Sequence, residues 1–219
     1  MIFGVSTAKI WTSIFQTLYM VSLPLLAGII IGFPLAVILV ITRKGGLKEN
    51  LWLYTSLNIF INIVRSIPFI ILIVSIMPFT KLVIGTRVGS TAALLPLTCF
   101  IAPFLARLLE SALLGVDKGI IEVSKAMGAT TLQTIFKFML PESLGAMILG
   151  ITTGAVALLG ATAMAGAVGG GGVGDLAITY GYQRFNQPLM IATVILLVGF
   201  VQLLQGLGNF LSKKTIHKK

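Results

Sequence analysis

Positions 10–42 contain 33 residues and no charge. About twenty apolar residues cross the hydrocarbon core of a bilayer as one helix. In lipid, a backbone must satisfy its own polar groups, so a helix is the fold open to such a run. The run is also too long for the apolar region of a cleavable signal peptide. Two further stretches, 143–174 and 185–212, are equally free of charge. Charged residues make up 10% of the chain and hydrophobic residues 57%, whereas a soluble domain carries about 25% charged residues. The net charge of +10 is therefore no basic face of a soluble nucleic-acid binder. Its cations fall in the gaps between apolar runs, where membrane topology places them.

The charges that interrupt these runs predict an all-α membrane protein of one domain, residues 1–219. Five spans are expected near 17–41, 57–79, 88–109, 145–167 and 189–210, with 10–16 as an interfacial lead-in. A large loop covers 110–142. Arg43, Lys44, Lys48, Lys118, Lys125, Lys137, Lys213, Lys214, Lys218 and Lys219 fall on one side of this topology. Lys9, Lys81, Arg87 and Arg184 fall on the other. The side richer in cations is cytoplasmic, which puts the N terminus outside and the C terminus inside. The loop at 110–142 then faces the cytoplasm. Connectors are commonly 2–6 residues, so a structured loop of this length calls for a function.

Within it, Asp117 is placed to cap a helix over about 118–127, where a carboxylate accepts from free N–H groups. Ile120, Ile121, Val123, Ala126 and Met127 give that helix apolar positions. Gly128 falls where a left-handed C-terminal cap belongs. Thr130 with Gln133 three residues later is a capping-box pattern. Leu132, Ile135, Phe136, Met139 and Leu140 then recur at helical spacing, and Pro141 suits the first turn of a following helix. These features predict two short helices at a sharp angle, forming a rigid knob.

The spacing of Glu122, Gly128 and Leu140-Pro141 resembles the coupling loop of the membrane subunits of ABC importers. The resemblance extends to Arg65-x-x-Pro68, Pro96, Pro103, Phe104, Arg107, the glycine-rich run at 165–174 and Tyr180-Gly-Tyr182. Along nearly its full length the chain is similar to the permeases of methionine importers. The family's two loop alanines are matched by Val123 and Ser124, and Phe138 is bulkier than the usual residue. The resemblance implies the type I importer permease fold and transport of an amino acid, methionine in its D and L forms. It implies a homodimer with ten spans around a central path, two cytoplasmic ATPase subunits and an extracytoplasmic amino-acid-binding protein. It places the protein in the bacterial inner membrane. Asp117, Glu122, Ser124, Ala126, Met127, Gly128, Ala129, Leu140 and Pro141 would meet or shape the contact with the ATPase.

The sequence has no Walker A pattern and no His/Cys/Asp/Glu cluster of metal-site type. ATP and magnesium are therefore expected on the partner, with no cofactor and no catalysis in this chain. The rival class is a self-sufficient secondary transporter or channel. Ion-coupled carriers place ionisable groups near mid-membrane, and here the nearest acid, Glu110, is expected at a span end.

Four other features have two readings each. Arg65, inside an apolar stretch, either snorkels to the interface a turn or two away or anchors the fold through backbone carbonyls or Glu110. The G-x-G-x-x-G of 169–174 lacks the preceding strand of a dinucleotide site and is expected as a flexible extracytoplasmic turn. Gly28/Gly32, Gly150/Gly154 and Gly166/Gly170 have the spacing of close helix packing, within a subunit or between two. Met164, one large residue among small ones, either fills space or plugs the path at a dimer axis. Cys99 is expected to be a buried, inert thiol and His217 a solvated tail residue.

Overall fold

The structure is a computed structural model that describes residues 4–216. His217, Lys218 and Lys219 lie outside the described residues. α1 (Thr7–Thr42) takes the whole first uncharged run together with the expected lead-in. Ser6 starts it by accepting from the Lys9 N–H at 3.2 Å. Pro24 and Pro34 lie within it.

The second span is not one straight helix. α2 (Leu51–Ser66) and α3 (Phe69–Ser75) meet at 97°. Pro68 is the cause: it has no N–H to continue the ladder, and it drives the preceding Ile67 out of helical geometry, to φ −80° and ψ 121°. α4 (Met77–Ile84) follows and ends on left-handed Gly85.

α5 (Ser90–Leu114) is the axis of the bundle. Leu97, Ile101, Leu105, Leu109 and Leu113 repeat every four residues along one face, and all are fully or almost fully buried. This ladder meets α1 on one side and α8 (Leu140–Ala165) on the other. The glycine pairs explain how closely. A Cβ on Gly28 would lie 2.6 Å from Ile101, and one on Gly154 would lie 2.5 Å from Leu105. Both pairs, Gly28/Gly32 and Gly150/Gly154, thus bring α1 and α8 onto α5 within this one subunit. α10 (Gln187–Ile216) packs on α8 and leaves Ile195, Leu203 and Leu207 open. Large exposed apolar side chains are what a lipid-facing surface requires.

At the end opposite the 110–142 loop, a kink at Gly166–Gly170, where Gly169 is left-handed at φ +87°, then α9 (Gly172–Asp175) and a π-helical segment (Leu176–Tyr182) reverse the chain. This region is packed, contrary to the expected flexible turn. Gln16 and Thr17 of α1 accept from the N–H groups of Gly172 and Val173 at 3.0 and 2.8 Å. Gly166 and Gly174 sit against backbone, where a Cβ would come within 2.5 Å of Asp175 N and Ala163 Cα respectively. The Lys9–Asp175 ion pair at 3.2 Å ties the start of α1 to the same region.

Candidate functional site: the knob at 117–141

Asp117 caps α6 (Lys118–Ala126), its Oδ1 accepting from the Gly119 N–H at 2.7 Å. At the other end the backbone closes twice. The Gly128 N–H donates to the Lys125 carbonyl at 2.9 Å, and the Ala129 N–H to the Ser124 carbonyl at 3.0 Å. This 5→2 and 6→1 pair is a Schellman motif, which needs a left-handed residue after the helix. Gly128 supplies it with φ +70°. Thr130 and Gln133 then form the reciprocal capping box of α7 (Thr131–Gln133), at 2.9 and 3.3 Å.

The second arm is not a separate short helix. From Thr131 the chain continues unbroken through a π-helical segment (Thr134–Met139) into α8. Pro141, in the first turn of α8, explains the wide turn. Proline has no N–H for the carbonyl four residues back and its ring crowds that carbonyl. The Leu140 N–H instead reaches the Ile135 carbonyl, five residues back. The knob is thus rooted directly in a spanning helix, and displacement of its tip acts on α8 without an intervening joint.

Ser124 locks the two arms together. It is fully buried, donates to the Ile121 carbonyl at 2.7 Å and shares a buried hydrogen bond of 3.1 Å with Thr134 Oγ1. Thr134 was not among the residues singled out in the sequence. The signal was its position ten residues after Ser124, across the glycine turn, in an otherwise apolar strip.

The tip around Gly128 is open and apolar. Met127 is 71% exposed, Leu132 65%, Val123 54% and Phe136 50%. Ala126 is exposed beside them, whereas Ala129 and Leu140 are half-buried and Pro141 is exposed at the root. Glu122 is exposed on α6. It is the fifth residue of the helix, so it lies beyond the first turn, where a carboxylate gains from the dipole. Glu122 therefore gains little from the dipole, and its place is on the open face of α6.

Away from the knob, Arg65 lies in the last turn of α2, exposed, with its guanidinium 5.7 Å from the centroid of the Phe104 ring. Its expected pairing with Glu110 does not form, because that carboxylate belongs to Arg107; an exposed guanidinium at the end of α2 is in keeping with a side chain that reaches for an interface. The Arg107–Glu110 pair is 2.7 Å long and buried between α5 and α2. The Arg107 guanidinium also donates to Asn58 Oδ1 and, at 3.0 Å, to Asn62 Oδ1. Glu110 lies in the closing turns of α5. Asn58 and Asn62, four apart on an apolar helix, were the sequence signal for this network. Met164 is 49% exposed near the end of α8, and Cys99 is exposed rather than buried.

An all-helical bundle with four long apolar helices, or five with the bent pair, and a rigid knob rooted in one of them is the architecture of a transporter's membrane subunit. Residues 28–217 match the family described as binding-protein-dependent transport system inner membrane component. The chain belongs to that family and is a multi-pass inner-membrane protein. It is 46% identical to the probable D-methionine transport system permease protein MetI of Vibrio cholerae serotype O1, over 99% of this chain and 96% of that one. It is 45% identical to the methionine import system permease protein MetP of Bacillus subtilis, over 95% and 94% of the two chains. Among solved structures it superposes on a chain of the MetNI methionine ABC transporter in an inward-facing conformation with a TM-score of 0.93. That match has 41% identity and covers 96% of this chain and 99% of the other. Family membership sets aside the self-sufficient carrier or channel.

Proposed function

We propose that this chain is the membrane-spanning subunit of an ABC importer for methionine, D and L. Two copies form the translocation path, two cytoplasmic ATPase subunits bind and hydrolyse ATP with magnesium, and an extracytoplasmic binding protein delivers the substrate. The N terminus is outside and the C terminus cytoplasmic. The observation that carries this reading is the knob: a doubly capped, internally hydrogen-bonded protrusion with an open apolar tip, continuous with α8. Such a tip suits a cleft on a partner, and its rigidity suits transmission of movement. Likeness to the methionine permeases over nearly the whole chain supports the substrate.

In this scheme Val123, Ala126, Met127 and Gly128 meet the ATPase, with Glu122 at the edge of the contact. Asp117, Ser124, Ala129, Leu140 and Pro141 hold the shape. ATP binding draws the two knobs together, and α8 tilts with them. Co-purification with the neighbouring gene products, followed by ATPase and uptake assays across amino acids, tests the proposal. Methionine uptake that needs ATP and the partner subunits is expected; uptake by the chain alone would overturn it. A Glu122→Cys protein should crosslink to the ATPase, and crosslinking to the binding protein would reverse the orientation.

Met164 extends the scheme to a gate. Residues near a two-fold axis meet their own copies, and Met164 is half open beside Gly160, whose surroundings are also open. Two methionines would close the path without hydrogen bonds and withdraw by changing rotamer. Met164→Cys should form an intersubunit disulfide in the inward-facing state and lose it when ATP is trapped. A cysteine that never crosslinks returns Met164 to packing.

A further inference from the structure

α6 has two working faces. Val123 and Met127 point outward at the tip. Lys118, Ile121 and Lys125, spaced three and four apart, share another face; Ile121 is half-buried and the two lysines, though exposed, border a hollow against the bundle. There they line a recess of about 70 Å³ with Arg43, which follows the end of α1, and with the apolar Val40 and Met139. The recess therefore gathers three cations from two separate parts of the chain onto one apolar-walled hollow. Among the described residues none of the three is ion-paired with a carboxylate. Of the nearby acids, Glu122 lies one turn from both Lys118 and Lys125 on α6 but is exposed and is ion-paired with neither. Glu49 accepts from the Gly45 N–H at 2.8 Å, and Asp117 is occupied in capping α6. Arg43 is half-buried rather than extended into solvent. Leu114, 37% exposed, continues the apolar wall outward from the recess.

Scattered cations beside a span are ordinary topology signals. Three cations bordering one hollow lined by Val40, Leu113, Leu114 and Met139 are a different arrangement. It fits a phosphate held by cations while hydrocarbon lies along the flank. We infer that this recess binds the phosphate of an anionic phospholipid of the inner leaflet, at the root of the knob. The inference rests on the orientation proposed above. Because Lys118 and Lys125 belong to the same helix as the tip, the bound lipid braces α6 against the end of α1. It makes the stiffness of the knob depend on the surrounding membrane.

Native mass spectrometry of the permease purified with its partner subunits, after exchange into phosphatidylglycerol–phosphatidylcholine mixtures, tests this directly. Retained phosphatidylglycerol is expected in the wild-type complex. Each of Arg43→Gln, Lys118→Gln and Lys125→Gln should weaken retention roughly five-fold. The charge-keeping triple variant Arg43→Lys, Lys118→Arg, Lys125→Arg should retain it, which separates loss of the site from loss of the fold. Lys44→Gln with Lys48→Gln removes two cations from the same stretch but outside the recess, and should leave retention unchanged. Equal losses in that control and in the recess variants would overturn the site. Displacement of the lipid by inorganic phosphate, with the same dependence on residues, would assign the recess to a soluble anion and overturn the lipid reading. The readout is lipid bound, not transport, so it stands or fails apart from the substrate. Labelling of a Lys44→Cys protein from the cytoplasmic side alone checks the orientation separately.

Discussion

The knob and the glycine-rich reversal at the other end of α8 both turn the chain on glycine, for opposite reasons. At Gly128 the backbone is left-handed, with φ +70°, and a Cβ would meet nothing within 4 Å. Glycine is there for its torsion angle. At Gly174 the backbone is helical and a Cβ would sit 2.5 Å from Ala163 Cα. Glycine is there for the space. The first turn stands open, and the second is filled by its own chain, with Gln16 and Thr17 taking up its N–H groups. One chain thus uses one residue type to build an open protrusion at one end and a packed stop at the other.

If this contrast is right, the largest effect comes from Gly174→Ala. The clash is with backbone, which cannot rotate away, so the cost should reach the upper end of overpacking, about 3 kcal/mol. Loss of monodisperse protein, or a sharply lower thermal midpoint in detergent, is the expected result. A variant as stable as wild type would show that the reversal yields as easily as a loop.

Gly128→Val should cost less in stability, about 1–2 kcal/mol from torsional strain alone, because no neighbour is struck. Its effect should fall on function: protein in the membrane at normal level, ATP hydrolysed, substrate uptake lost. Gly128→Asn sharpens the point, since asparagine visits the left-handed region more readily. Uptake should return in part with asparagine and not with valine. Normal uptake with valine would remove the torsional explanation.

The smallest expected effect is at Ser124→Ala. It removes the local bond to the Ile121 carbonyl and the buried hydrogen bond to Thr134, the latter worth roughly 1 kcal/mol. Because the bond joins the two arms, the variant should hydrolyse more ATP per substrate moved. A double-mutant cycle with Thr134→Val isolates the pair. Additive effects would mean that the arms are held together by apolar packing alone.

Much of the knob was legible in the chain before folding. Asp117, Gly128, Thr130 and Gln133 act on backbone groups within a few residues, so spacing alone predicted the first helix, the left-handed cap and the capping box. The continuity of the second arm with α8 was not legible. Helical periodicity does not distinguish two helices from one that passes a proline by widening a turn. The bend of the second span was not legible either. Hydropathy reports that a segment is apolar, whereas Pro68 turns the chain through 97° within it. The glycine pairs, by contrast, were read correctly as close helix packing, but the sequence left the partner open. The structure assigns two of them to α5.

The sequence by itself determined that this is a helical membrane protein, roughly where its apolar runs begin and end, and which residues shape the knob locally. Those properties follow from the cost of charge in lipid and from hydrogen bonds between near neighbours. Only the tertiary structure decided which pairs form across distance: Ser124 with Thr134, Arg107 with Asn58 and Asn62, Thr17 with Val173, and Arg43 beside Lys118 and Lys125. Such pairs depend on how the helices cross and rotate. In a bundle where nearly every face is apolar, hydrophobicity hardly discriminates among those rotations; the fit of glycine, leucine and a few buried polar groups does.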